Sequence, residues 1–283
     1  MTAFEPSPGQ AVSRFAPSPT GMLHLGHAYS AVLARGAASH FLLRFEDIDG
    51  GRCRPEFVAA IEDDLRWLGI RWDGAAVIQS QHVARHESAL DRLRALGLVY
   101  RCTCTRADIT AAAGAPQGEQ PPIYPGTCRG RDVDGTKPFA WRLDMVRAIE
   151  LAGPLSWQDT VAGQVTAIPE IFGDVVIARK DAGTSYHLAA TVDDAAMGIT
   201  KIVRGIDLFT STHVHRLLQA LLGLPTPAYH HHPLILGPDG KRLAKRTPGA
   251  TLAHLRASGV DGRALVDDLR AHRLPVGFSF GDA

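Results

Sequence analysis

Short apolar runs alternate with helix-like segments along the first hundred residues. The runs SRFAP, HFLLRFEDID and AAVIQS are typical of strands, whereas LHLGHAYSAVLARGA and HVARHESALDRLRALG have helical spacing. In RPEFVAAIEDDLRWLGI the apolar positions recur on one helical face: Phe57, Ile61, Leu65 and Leu68. Strands that alternate with helices predict a parallel sheet of βαβ units and therefore an α/β fold.

The alternation is interrupted once. From about residue 101 to residue 163, Gly, Pro and short β-like runs dominate, as in an inserted module, and strand–helix alternation then resumes with DVVIARKDAGTSYHLAATVDDAAMG. We therefore predict that residues 1–100 and 173–236 are the two halves of one α/β domain and that residues 101–172 are an insertion. Residues 237–283 are predicted to be a basic loop followed by two short helices.

Composition narrows the choice of partners and compartment. The chain has 283 residues, with 30 Lys and Arg against 29 Asp and Glu, so a nucleic-acid partner would need local basic patches. The N-terminus has no signal-peptide pattern and no stretch approaches the length of a membrane span. We expect a cytoplasmic protein that has no membrane partner and acts as a monomer.

The loop PSPTGMLHLGH follows the first predicted strand and places His24 and His27 at the expected N-terminus of the first helix. A helix N-terminus presents free N–H groups and the positive end of the helix dipole, which together suit a phosphate. Two imidazoles there can stabilise the charge that develops on an α-phosphate under attack. Each histidine could instead be a polar cap residue, but the pair behind a P-S-P-T-G loop favours the catalytic interpretation.

A second phosphate-binding candidate is GPDGKRLAKRTPG, where four cations occur in the six residues from Lys241 to Arg246. Loops of this kind are usually solvated charge runs. Only 37 residues follow Arg246, which is few for a separate folded domain.

These motifs resemble the HIGH and KMSKS signatures of class I aminoacyl-tRNA synthetases. Collinear matches to the glutamyl/glutaminyl subfamily span Arg14 to Arg246: RFAPSPTGMLHLGH, RFEDID, YHLA, VRGIDL and PDGKRLAKR. Length and cysteine pattern further resemble the glutamyl-Q tRNA(Asp) synthetase family, whose members attach glutamate to queuosine in a tRNA anticodon. The resemblance implies a Rossmann-like class I synthetase catalytic domain with a zinc-binding, acceptor-type insertion, a short helical C-terminal segment and no anticodon-binding domain.

The resemblance also implies a glutamate site and an ATP site. The implied glutamate contacts are Arg14, Phe15, Ala16, Pro17, Ser18, Glu46, Tyr186 and Arg204, and the implied catalytic and ATP-binding residues are His24, His27 and Lys245. An arginine can hold a carboxylate bidentately, and a glutamate can accept from an ammonium group. The alternative for Arg14 and Glu46 is a surface ion pair. By resemblance Lys245 stabilises the pyrophosphate leaving group, whereas Ala244 replaces a frequent Ser and loses one hydroxyl donor.

The predicted insertion contains CTC and YPGTC, which bring Cys102 and Cys104, and then Tyr124 and Cys128, into two pairs about twenty residues apart. Two such pairs can close a tetrahedral site, and three thiolates favour zinc. The family pattern makes Tyr124 the fourth ligand of one structural zinc ion; three buried cysteines beside a core tyrosine are the alternative. The histidines 230–232 occupy a predicted strand, whose alternating sides keep them from converging on one metal ion, and one of them is a candidate ATP neighbour.

The implied reaction is ATP-dependent formation of glutamyl-adenylate, with Mg²⁺ accompanying ATP, followed by transfer to queuosine in the anticodon stem-loop of tRNA(Asp). Three alternatives remain open. A nucleotidyltransferase also uses an H-x-G-H loop but does not need the carboxylate-binding residues. A non-catalytic tRNA- or amino-acid-binding paralogue is suggested only by Ala244. A truncated glutamyl-tRNA synthetase would charge a tRNA 3′ end.

Overall fold

The computed structural model describes residues 9–112, 123–243 and 249–281. The strands are β1 (Val12–Phe15), β2 (His40–Phe45), β3 (Val77–Ile78), β4 (Val99–Cys102), β5 (Ala140–Leu143), β6 (Ser156–Asp159), β7 (Gly163–Thr166), β8 (Val176–Ala178), β9 (Lys201–Gly205), β10 (Ala228–His232), β11 (Ile235–Leu236) and β12 (Ser279–Phe280). The α-helices are α1 (Leu25–Gly36), α2 (Pro55–Trp67), α3 (Val83–Ala95), α4 (Arg106–Ala112), α5 (Met145–Ala152), α6 (Tyr186–Ala196), α7 (Ser211–Leu221), α8 (Leu252–Ala257) and α9 (Gly262–Arg270).

A parallel sheet forms the centre of the molecule. Strand β2 pairs in parallel with β1 on one side and with β3 on the other, and β9 pairs in parallel with β10. The two groups of strands meet where the Thr200 amide donates to the Val12 carbonyl at 3.0 Å. Helices separate the parallel strands along the chain, so the predicted α/β fold is confirmed.

Burial in the core matches the strand and helices predicted for β2, α2 and α3. Strand β2 is buried along almost its whole length, as expected for a parallel strand with both faces covered. On α2, Ile61 and Leu65 are buried as predicted, but Phe57 is only half-buried and its neighbour Val58 packs against the core instead. Gly97 has a φ of 66° and follows the end of α3, where its left-handed conformation suits a helix terminus.

The sheets do not coincide with the predicted domain boundaries. Strands β4, β5 and β8 form an antiparallel sheet, although β8 lies beyond the predicted end of the insertion at residue 172. Strand β6, which lies inside the predicted insertion, pairs in parallel with β10 of the central sheet. The segment 101–172 therefore contributes to two sheets, and its treatment as one acceptor-type module remains a proposal.

The last two helices pack on the first half of the chain. The buried residues of α8 and α9 join the core that surrounds α1: Leu252, Leu255, Leu265, Val266 and Leu269. Two backbone hydrogen bonds fix this segment, from the Leu25 amide to Ala250 at 3.0 Å and from the Leu252 amide to Leu23 at 2.9 Å. The predicted helical tail is thus confirmed. Among the described residues, no helix has the length and apolar character needed to cross a membrane.

Candidate active site

A cavity of about 560 Å³ lies at the carboxyl ends of β1, β2, β9 and β10. This is the edge at which open α/β sheets bind ligands. The cavity brings together the predicted glutamate-binding and ATP-binding residues that the structure describes: Arg14, Phe15, Ala16, Pro17, Ser18, His24, His27, Glu46, Tyr186 and Arg204. Lys245 and Ala244 lie outside the described residues, next to Leu243, which lines the same cavity.

Arg204 is fixed on the floor of this cavity by four polar neighbours. Its Nε donates to His231 Nε2 at 3.1 Å, and its Nη2 donates to Thr212 Oγ1 at 2.6 Å. Its Nη1 lies 3.3 Å from both Tyr186 Oη and His215 Nδ1. Because several groups constrain a side chain that is only 5% exposed, the guanidinium plane is preorganised.

The neighbours of Arg204 carry no opposing charge. Burial and the Arg204 charge lower the pKa of His231 to about 4 and hold the pKa of His215 well below its usual value. Burial also raises the pKa of Tyr186. Within the described part of the chain, no carboxylate pairs directly with Arg204. A buried cation held by neutral groups is the arrangement that an incoming carboxylate would complete.

Arg14 differs, because the protein already neutralises it. Asp194 accepts from Arg14 Nε at 2.9 Å and from Arg44 Nη1 at 2.7 Å, and Arg44 Nη2 donates to Glu46 Oε1 at 3.0 Å. Two cations and two carboxylates thus form one largely buried chain. The alternative of a surface pair between Arg14 and Glu46 is wrong, because each of them is bound to a different partner in this chain.

The same chain sets the charge of its carboxylates. Burial by itself would raise the pKa of Asp194, but Arg14 and Arg44 hold that pKa at about 2. Burial raises the pKa of Glu46 despite the opposing charge of Arg44. Asp194 is therefore a permanent anion between two arginines, and it holds Arg14 and, through Arg44, Glu46 in fixed positions.

His24 and His27 lie at the start of α1, as predicted. His24 is the N-cap residue, and its backbone amide donates to His27 Nδ1 at 3.1 Å. The two ring centroids are 3.8 Å apart. Because His27 Nδ1 accepts a hydrogen bond, the His27 proton resides on Nε2, where it can be donated to a ligand. Gly26 preserves this arrangement, since a Cβ at that position would lie 3.1 Å from the His24 ring.

The three consecutive histidines of β10 have three different partners. His230 Nδ1 lies 2.7 Å from Thr160 Oγ1, and His231 contacts Arg204. His232 Nε2 lies 2.8 Å from Ser30 Oγ, and its side chain lines the cavity. The alternation of the strand thus places them as predicted, and His232 is the candidate ATP neighbour.

Several residues that organise the site were not identified from the sequence: Arg44, Asp159, Asp194, Thr212 and His215. Two adjacent aspartates in the otherwise largely apolar helix α6 were the clearest available signal, because a buried carboxylate requires a compensating partner. The sequence indicates that such partners must exist but does not say which residues they are.

A thiol cluster lies apart from the cavity, between β4 and the turn near residue 128. The sulfur atoms of Cys102, Cys104 and Cys128 lie within 4.8 Å of one another, with 3.5 Å between Cys104 and Cys128. Tyr124 Oη is 3.4 Å from Cys102 Sγ and accepts from the Cys128 amide at 2.8 Å. Ligands at tetrahedral zinc–sulfur distances would be about 3.8 Å apart. This cluster can therefore hold a metal ion, and Cys53 is not part of it.

The match to known proteins covers nearly the whole chain. Residues 10–274 match the family described as tRNA synthetases class I (E and Q), catalytic domain. The chain belongs to this family. The Rossmann-like class I fold predicted from the HIGH-like and KMSKS-like motifs is therefore confirmed.

Curated relatives of the synthetase carry a narrower name. A glutamyl-Q tRNA(Asp) synthetase of Rhodobacter capsulatus is 49% identical over 265 residues, covering 88% of this chain and 95% of the relative. A protein of the same name from Symbiobacterium thermophilum is 42% identical and covers 90% and 84%. A solved glutamate-tRNA synthetase from Elizabethkingia anophelis has a TM-score of 0.74 at 26% identity, covering 92% of this chain and 61% of that structure.

Proposed function

We propose that this synthetase is a ligase that activates L-glutamate with ATP and transfers the glutamyl group to queuosine at the wobble position of tRNA(Asp). The observation that carries the amino-acid assignment is Arg204, a buried cation whose direct partners are neutral, in the same cavity as the His24–His27 pair. The queuosine and tRNA(Asp) assignments come from the names of the curated relatives. On this proposal the enzyme acts in tRNA modification, and we propose that it does so in the cytoplasm.

In the proposed glutamate complex, Arg204 and Tyr186 bind the side-chain carboxylate and Glu46 accepts from the α-ammonium group. The Arg14–Ser18 segment then lies beside the reacting α-carboxylate. Asp194 orients the ammonium site, because it anchors Arg44, which in turn binds Glu46. Each charged group of the substrate thereby meets an opposite or orienting group of the protein.

In the activation step, an oxygen of the glutamate α-carboxylate attacks the α-phosphorus of ATP. A new carboxylate O–P bond forms, the bond from the α-phosphorus to the bridging oxygen breaks, and pyrophosphate leaves with that electron pair. The step requires positioning and charge stabilisation rather than a protein nucleophile. His24 and His27 would stabilise the α-phosphate, Lys245 would stabilise the leaving pyrophosphate, and Mg²⁺ would accompany ATP. A ring hydroxyl of queuosine then attacks the acyl carbon of the adenylate. An ester C–O bond forms, the bond from the acyl carbon to the AMP oxygen breaks, AMP leaves with that electron pair, and the hydroxyl proton is released.

The alternatives explain less of the site. A nucleotidyltransferase would account for the histidine pair but not for a buried arginine that four neutral groups hold in place. A paralogue that binds without catalysis would not explain why the His24–His27 pair and Arg204 line the same cavity. An adenylate-forming enzyme needs both a carboxylate site and a phosphate site, and this cavity contains the candidate residues for each.

We expect glutamate-dependent ATP–pyrophosphate exchange in the absence of tRNA. Glutamine should give a kcat/KM at least about a hundredfold lower, because its neutral amide leaves the Arg204 charge uncompensated. The measurement is exchange of radiolabelled pyrophosphate with each of the twenty amino acids. Equal exchange with glutamine would contradict the assignment of Arg204 as the carboxylate ligand.

We infer that the thiol cluster holds one structural zinc ion with Cys102, Cys104, Cys128 and Tyr124 as ligands. Zinc in a site filled by four protein ligands would cross-link β4 to the segment around residue 128 and would have no open position for catalysis. The short distances among these side chains support this proposal.

Metal analysis of the purified protein should find about one zinc ion per chain. Cys102→Ser and Cys128→Ser should lose the metal and lower the melting temperature, whereas Cys53→Ser, outside the cluster, should keep it. A metal-free preparation whose three cluster thiols react with a thiol reagent before any chelator is added would show that the zinc site does not exist.

A further inference from the structure

A chain of three side chains runs beneath the proposed carboxylate site. Arg204 Nε donates to His231 Nε2 at 3.1 Å, and His231 Nδ1 lies 2.7 Å from Asp159 Oδ2. Asp159 ends β6 and lies beside β10 in the central sheet. All three residues are at least 95% buried, with His231 and Asp159 each 1% exposed.

Only one tautomer of His231 is compatible with these contacts. Arg204 Nε carries a hydrogen and can only donate, so His231 Nε2 must present a lone pair. The His231 proton then resides on Nδ1 and is donated to Asp159. In the other tautomer, two N–H groups would face each other between Arg204 and His231.

The charges of the pair fit this arrangement. Burial and the neighbouring Arg204 lower the pKa of His231 to about 4, so the ring is neutral at neutral pH. Burial alone would raise the pKa of Asp159, but the Ala162 amide and His231 lower it below its usual value. Asp159 is thus an anion that can only accept, which suits a fixed partner for an N–H donor.

We propose that Asp159 is a positioning residue: it fixes the tautomer of His231, and His231 in turn holds the Arg204 guanidinium in the orientation that receives the substrate carboxylate. This inference rests on the proposed function, because it assigns the role of Arg204 to the glutamate carboxylate. It adds a residue that touches neither substrate nor cofactor. Asp159 comes from the segment that the sequence assigned to the insertion.

Asp159→Asn tests the tautomer directly, because Asp159 Oδ1, the oxygen that does not face His231, has fixed partners of its own. Asp159 Oδ1 accepts from the backbone amides of Val161 at 2.8 Å and Ala162 at 3.0 Å. An asparagine must keep its oxygen on that side, so its NH₂ group would face His231 Nδ1. His231 would then have to accept at Nδ1 and carry its proton on Nε2, against Arg204.

The kinetic expectation is a selective effect on glutamate. Asp159→Asn should raise the glutamate KM in pyrophosphate exchange about tenfold to a hundredfold, the range for losing a hydrogen bond to a charged group. The KM for ATP should stay within about twofold, because the phosphate-binding residues are unchanged. Asp64→Asn is the matched control: Asp64 is also a buried aspartate, but it pairs with Arg256 away from the cavity. This control should leave the glutamate KM unchanged.

A double-mutant cycle separates positioning from general damage. His231→Phe keeps a ring but removes the acceptor for Arg204, so it should raise the glutamate KM by itself. When Asp159→Asn is added to His231→Phe, the glutamate KM should rise by no more than about threefold further. Full additivity of the two substitutions would overturn the proposal.

The tautomer itself is read by ¹⁵N NMR of the histidine side chains, with the His231 signals assigned by their loss in His231→Phe. The wild-type protein should have the His231 proton on Nδ1, and Asp159→Asn should move it to Nε2. A wild-type proton on Nε2, or an unchanged tautomer together with an unchanged glutamate KM in Asp159→Asn, would refute the inference. Wild-type protein without glutamate-dependent exchange would refute the proposed function instead, and the NMR result would still decide whether Asp159 sets the tautomer of His231.

Discussion

Arg204→Gln should lower the kcat/KM for glutamate in ATP–pyrophosphate exchange by about two to three orders of magnitude. Losing one partner of a buried, hydrogen-bonded charge pair typically costs this much. The substrate carboxylate would enter a buried cavity without its cation, and Arg14, which lines the same cavity, is already neutralised by Asp194. The ATP KM should change little.

Two further substitutions make this result specific. Arg204→Lys keeps the charge but loses the planar fork that His231 and Thr212 hold, so it should retain intermediate activity. Arg216→Gln is the matched control, because Arg216 lies on the neighbouring helix α7 and donates to the Ser156 carbonyl. It should keep the wild-type glutamate KM. An Arg204→Gln enzyme within threefold of wild type would show that another group binds the carboxylate.

The sequence predicted the fold well because its signals are local. Strand β2 reads as a mainly apolar run that contains one charged residue, Arg44, and α2 and α3 have a helical period that the structure reproduces. The boundaries of the insertion were less accessible, because strand pairing is decided by long-range contacts. Nothing in the local pattern of β6 or β8 says that β6 joins the central sheet and β8 joins the antiparallel one.

The residues of the candidate site likewise fall into those that the sequence identified and those that it did not. Residues inside collinear motifs, such as His24, His27 and Arg204, could be identified from the sequence. The residues that fix their charge and orientation could not, because Asp159 lies 72 positions from His231 and Asp194 lies 180 positions from Arg14. Such partners follow from which strands and helices become neighbours in the fold.

For the proposed transfer to an anticodon base, the arginines that line the cavity are the candidate contacts to the RNA backbone. Arg52 and Arg179 line the cavity, with side chains that are 73% and 41% exposed. Arg52 pairs with Asp49, and Arg179 pairs with Asp181 and more distantly with Asp49. Exposed arginines of this kind can exchange such partners for backbone phosphates. An anticodon base that is unstacked from its loop could enter the cavity in a way that a helical base could not.

Modification of an isolated anticodon stem-loop tests the central claim most directly. We expect a tRNA(Asp) anticodon stem-loop that carries queuosine, but no acceptor arm, to accept radiolabelled glutamate in the presence of ATP. The same stem-loop with guanosine at the wobble position should accept none, because it lacks the ring hydroxyl that takes the glutamyl group. If labelling instead requires the 3′-terminal adenosine of a complete tRNA, or proceeds equally on the guanosine stem-loop, the proposed transfer to queuosine is wrong.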